Sequence, residues 1–142
     1  MIPTSELRIG NWAQRPAPYH QYGVVIQSTH QILIESDGKS FSHYAFQLQP
    51  IPLTSSLLEA IGCVGNKNAF TLTKNNFTFL LQPAETGFYL WQLEPTRSLQ
   101  LEQVRYVHQL QNLIEDITGI PMVITQTDID KSQSPESILN TA

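Results

Sequence analysis

Three groups of residues have side chains capable of chemistry. Cys63 is the chain's one thiol. As a nucleophile it would need a neighbouring histidine and an electropositive setting. Ile61 and Val64 flank it instead, so a buried packing thiol is expected. His30 and His43 form the second group, because a hairpin turning at Asp37-Gly38 makes them diagonal neighbours on one sheet face. Zinc usually takes at least three protein ligands. Neither Glu35 nor Asp37 is placed to join, so the two are expected to be ordinary strand-edge histidines, and no metal or cofactor is expected. The third group lies on a helix. Arg105, His108, Asn112, Glu115 and Asp116 gather on its polar side, a mixture of guanidinium, imidazole, amide and carboxylate that mere solvation does not require. Two readings stay open. The residues Tyr106, His108, Gln109 and Asn112 are a partner-binding face, or the helix lies between two layers and His108 or Asn112 bonds backbone of the N-terminal strands or of the Pro50 linker.

The elements that must position these groups follow from turn chemistry and periodicity. Leu7, Ile9 and Trp12 suggest a first strand, interrupted at Gly10-Asn11 and closed by Arg15-Pro16-Ala17-Pro18. Tyr22 to Ser28 and Gln31 to Glu35 suggest two more. Asp37-Gly38 then sets a type I′ hairpin that pairs Ile34 with Phe41 and Ile32 with His43. So short a meander is expected to curl over its own apolar face, as a small SH3-like barrel. Gln49-Pro50-Ile51-Pro52-Leu53-Thr54 is an extended connection. A short helix follows, for which Thr54, Ser55 and Ser56 are all competent N-caps, with Ser56 and Glu59 as a capping box and Gly62 as its stop.

From Ala69 to Leu93 alternation predicts a three-stranded meander turning at Lys74-Asn75-Asn76 and Glu85-Thr86-Gly87. Its last strand, apolar on both sides, is expected to be covered on both faces, with Trp91 as its largest packing element. Leu101 to Thr118 predicts a helix whose arc of Tyr106, Leu110, Leu113, Ile114 and Ile117 faces the core, ended by Gly119 and Pro121. Met122 to Thr125 is compatible with a final edge strand. The fold class is thus α+β: a curled β subdomain over residues 1–49, a β-meander with two helices over 50–125 sharing its core, and a flexible tail over 126–142.

Composition narrows the function classes. At 142 residues and 41% hydrophobic the chain can fold, but only 14% is charged, against roughly 25% in typical globular domains. With a net charge of -4 and eight scattered Lys and Arg, no basic field collects phosphates. Nucleic acid is therefore a disfavoured partner, although a barrel on which Arg8, Arg15 and Lys39 converge beside Trp12 and Tyr19 would bind it. A single cysteine excludes a disulfide-stapled secreted scaffold. No signal peptide is visible and no apolar run approaches the ~20 residues of a membrane span, so a cytoplasmic protein without membrane contact is expected. The sequence contains no G-x-S-x-G, G-x-x-x-x-G-K or H-E-x-x-H motif and no paired acidic motif for Mg²⁺, and no catalytic residue is assigned.

Glu6-Leu7-Arg8-Ile9-Gly10-Asn11-Trp12, Pro50-Ile51-Pro52-Leu53-Thr54, Gly87-Phe88-Tyr89-Leu90-Trp91 and Arg105-Tyr106-Val107-His108-Gln109-Leu110-Gln111-Asn112-Leu113 occur in this order. In this the chain resembles a family of small uncharacterised proteins from Bacteroidetes chromosomes, prophages and mobile elements. The resemblance spans roughly residues 5–124, and it implies a bacterial protein of phage or mobile-element history without naming an activity. The proline-rich loop from Arg15 to Tyr19 departs from the family pattern. The expected function is noncatalytic binding, as an adaptor or accessory protein with a protein partner. The alternative is a small hydrolase or nucleic-acid-processing accessory with a site at the subdomain cleft. The two differ in what they require: convergent titratable groups for the enzyme, an exposed aromatic or apolar patch for the binder.

Overall fold

The computed structural model describes residues 2, 4–29, 31–66, 68–94 and 98–133. Two antiparallel sheets with helices make the chain an α+β protein. It divides into two compact units, Met1–Pro52 with Tyr106–Val123, and Leu53–Arg105 with Ile124–Ala142. This division differs from a boundary at the proline linker alone, because the long helix returns to the N-terminal unit. No described helix is long and apolar enough to cross a membrane.

In the first unit a 3₁₀ turn, Thr4–Glu6, leads to four strands: β1 Trp12–Gln14, β2 Tyr22–Ser28, β3 Ile32–Ser36 and β4 Lys39–His43. The first strand begins only at Trp12. Asn11 Oδ1 accepts the Arg8 N–H at 2.9 Å and Gly10 takes φ +94°, so turn chemistry wins over the apolar Leu7 and Ile9. Between β3 and β4 the hairpin is as the sequence predicts: Asp37 and Gly38 have φ of +52° and +76°, and Ile34 pairs with Phe41 and Ile32 with His43.

The strand order β1-β2-β3-β4 leaves an open sheet, and the expected SH3-like barrel is absent. The reason lies in the core. Ile32, Ile34, Val25 and Ala13 on the sheet meet Ile2, Leu7, Ala45 and Leu48 from the flanking segments, with Phe41 packed against them. Those segments cover the apolar face, so the sheet has no need to curl. A 12-residue helix, α2 at Val107–Thr118 in chain order, lies against β1 and the Thr4–Glu6 turn. Gly119 in the left-handed conformation, φ +76°, ends it.

The second unit opens with α1, Ser55–Ala60. Its cap is Thr54, whose hydroxyl accepts the Leu57 N–H at 3.2 Å, and not the Ser56–Glu59 box. The expected three-stranded meander is the middle of five strands: β5 Val64–Asn66, β6 Ala69–Lys74, β7 Phe77–Pro83, β8 Phe88–Leu93 and β9 Ser98–Val104. The segment from Leu101 to Val104, read as helix, is strand. Period-two alternation through Leu99 and Leu101 pairs it with β8, and the helix starts three residues later. One face carries buried Phe70, Leu72, Phe79, Leu81, Phe88 and Leu90. The opposite face of β8 is not sealed: Tyr89 is 39% exposed and Trp91 part-exposed, with threonine and glutamine among their neighbours across the sheet.

Residues 121–125 form no strand, and residues 126–133 are not a tail. They form α3, Gln126–Gln133, which packs against α1 and buries Ile129 to 1% exposure. Thr125 and Asp128 cap it reciprocally, the Thr125 N–H donating to Asp128 Oδ2 at 3.0 Å and the Asp128 N–H to Thr125 Oγ1 at 3.2 Å. Residues 134–142 of the expected tail lie outside the described residues. Replacing Ile129→Ala is expected to destabilise the protein by about 2–4 kcal/mol through a cavity under α3, read as a lowered urea midpoint. An unchanged midpoint would mean that α3 is undocked in solution.

Candidate functional site

The polar side of α2 is turned toward the N-terminal segment of its own unit, and that segment uses most of it. Asn112 Nδ2 donates to the Glu6 carbonyl at 2.6 Å, and its Oδ1 accepts from Asn11 Nδ2 at 2.9 Å. His108 is 1% exposed with Nε2 3.0 Å from Glu6 Oε1, and its ring stacks on Tyr106 at 6.1 Å. Tyr106 is the N-cap residue, and its N–H donates to Gln109 Oε1 at 3.3 Å. Two of the four predicted binding residues, His108 and Asn112, are thus joined to residues 6–11, while Tyr106 and Gln109 order the helix start.

Sequence reasoning missed the residue that binds most backbone. Gln111 is 3% exposed; its Oε1 accepts the Trp12 N–H at 3.0 Å, and its Nε2 donates to the carbonyls of Gly10 at 2.8 Å and Met122 at 3.1 Å. The signal available was an amide one position from an apolar arc, which a helical projection places at the margin. Farther along, Arg8 grips Asp116 with both Nη atoms, at 2.8 and 3.2 Å. The Asp116 hydrogen bond raises the Arg8 pKa, and the same bond holds the Asp116 carboxyl below its ordinary value. Arg105, assigned to this face, precedes the helix and belongs to the other unit.

The remaining sequence candidates are spread over the chain. Cys63 is buried, and burial pushes its thiol up to about 11, far from the thiolate a nucleophile needs. His30 lies outside the described residues. His43 is buried at the end of β4, where Nε2 accepts the Arg15 Nε–H at 3.2 Å. Burial, then the Arg15 charge, lowers its pKa. Among the described residues no three His, Cys, Asp or Glu gather as a metal site. Of the groups named for a nucleic-acid surface, Arg8 is held by Asp116 and Trp12 is 2% exposed, while Arg15 lies over the Tyr19 ring at 4.1 Å.

Two surface features of the first unit remain. Leu33, Gln27 and Ser42, with Thr29 and Gln31, line an open depression of about 240 Å³ that offers amides and hydroxyls but no acid–base group. At the end of β4, the 3₁₀ turn Ala45–Gln47 buries Ala45 and, beyond it, Leu48. Their inward anchoring turns Tyr44 and Phe46 outward, stacked at 5.5 Å and 7°, with Phe46 62% exposed. No family model, curated protein or solved structure matches the chain.

The pH dependence of stability follows from His43. The unfolded imidazole titrates near 6.5 and the folded one lower, so the unfolded chain takes up the proton first as pH falls. Stability is expected to hold above that value and to decline below it. Replacement by glutamine, which keeps an acceptor for Arg15 and cannot titrate, should reduce the decline between about pH 7 and 5. Urea midpoints that fall equally in His43→Gln and the parent would contradict this.

Proposed function

We propose that the chain is a noncatalytic binding module whose partner is a protein. The carrying observation is the stacked Tyr44–Phe46 pair. A large exposed aromatic held in place by buried neighbours loses little entropy on contact, which is how interface anchors obtain their affinity. The groups with shifted pKa support this reading by their dispersal: Arg8 and Asp116 pair with each other, His43 faces Arg15, and Cys63 is a buried thiol of the other unit.

Beside the aromatic pair, β4 is an outermost strand of its sheet, and no described strand pairs with its second edge. An extended segment of the partner would add there by main-chain hydrogen bonds while an apolar side chain packs on Phe46. The motif resemblance to small Bacteroidetes and prophage proteins agrees with a cytoplasmic adaptor or accessory role. The test compares affinity capture from a bacterial host by the parent and by Phe46→Ser, a surface change expected to leave stability within about 0.5 kcal/mol. At least one protein should be enriched on the parent and reduced about tenfold or more on the variant, a loss of ~1.4 kcal/mol. It should then bind the purified parent directly. Identical captured sets would overturn the reading.

A further inference from the structure

The Arg15 guanidinium is taken out of water without an anion to meet it. The residue is 5% exposed, with its guanidinium carbon 3.5 Å from the centre of the Phe41 ring and 4.1 Å from that of Tyr19. Nε donates to His43 at 3.2 Å and Nη1 to Gln21 Oε1 at 2.5 Å. Both acceptors are neutral. No carboxylate of the described residues lies within ion-pair distance, and none of them accepts from Nη2.

Burying a cation is costly unless an opposite charge or several hydrogen bonds compensate, and apolar residues of similar volume fix a loop more cheaply. Here two aromatic faces and two neutral acceptors orient the group and leave its charge unbalanced. Among the described residues the side-chain polar atoms that are both fully sealed and unpartnered are Trp91 Nε1 and His108 Nδ1, so Nη2 of Arg15, which has no acceptor, is not completely sealed. Tyr19, 55% exposed, forms one wall beside it. Its loop is fastened at both ends: the Arg15 N–H donates to the Gln21 carbonyl at 2.7 Å, and the Tyr19 N–H to that of Pro16 at 3.0 Å.

We propose that Arg15, clamped between Tyr19 and Phe41 and held by His43 and Gln21, is a binding site for an oxyanion, a carboxylate or phosphate group of the ligand. This goes beyond the aromatic docking reading and does not depend on it. A guanidinium already oriented and desolvated gives charge-assisted hydrogen bonds to such a group with little further ordering.

The experiment is an NMR titration of the full chain with ¹⁵N-labelled arginine, using sodium acetate and sodium phosphate against sodium chloride at matched ionic strength. The Arg15 Nε–H resonance is expected to shift saturably with at least one oxyanion, with Kd on the order of 1–10 mM. The Arg8 resonance, whose group Asp116 already occupies, should stay in place. Preference for acetate identifies a carboxylate ligand, and preference for phosphate a phosphoryl one. Tyr19→Ala removes an exposed ring and should weaken the saturable binding severalfold without unfolding the unit. An Arg15 response equal in all three salts, or one that Arg8 shares, would overturn the site.

Discussion

The first unit depends on a helix whose polar side hydrogen-bonds another segment's backbone. Between the 3₁₀ turn that ends at Glu6 and the start of β1 at Trp12, the Gly10 N–H and the Asn11 carbonyl bond to Val25 of β2, whereas the Glu6 and Gly10 carbonyls and the Trp12 N–H turn toward α2. Gln111 and Asn112 supply the missing partners at Glu6, Gly10 and Trp12. Each buried backbone group left without a partner would cost about 1–3 kcal/mol. Those hydrogen bonds hold Leu7 and Trp12 in position, and Leu7 helps cover the sheet's apolar face. The open sheet, the absence of a barrel and the assignment of α2 to the N-terminal unit all follow from this arrangement.

Local chemistry in the sequence was legible where it decides the structure by itself. Asp37-Gly38, Asn75-Asn76, Gly62 and Gly119 all take positive φ, and the registers around the first hairpin are as expected. What escaped needed tertiary knowledge. The four-stranded sheet is covered by Ile2, Leu7, Ala45 and Leu48, so an argument from the meander alone leads to curling that does not occur. Leu101 lies at a register shift in β9, where a strand with an extra residue imitates helical spacing. Helix α3 has a Thr125–Asp128 capping pair and one buried isoleucine, a signal that low hydrophobicity masks.

The candidate site was half legible. Asparagine and histidine on the polar side of a helix do mark something beyond solvation, and the reading that gave His108 or Asn112 a backbone partner accounts for Asn112, whereas His108 meets the Glu6 carboxylate and Gln111 was not part of it. What pattern analysis could not see is that inward anchoring of Ala45 and Leu48 exposes Tyr44 and Phe46. Nor could it place Arg15 between two rings that are four and twenty-six positions away in sequence. Both features arise from loops and edges held by a packed sheet, where recognition residues commonly sit.

Native-state hydrogen exchange at the Trp12 amide tests the central claim most directly, because that N–H has the Gln111 side chain as its acceptor. The account predicts protection close to that of the slowest amides of α2, Leu110 and Ile114, since the bond opens only when the unit does. If Trp12 exchanges as a free amide while Leu110 and Ile114 stay protected, the helix does not hold the N-terminal segment and the account is wrong.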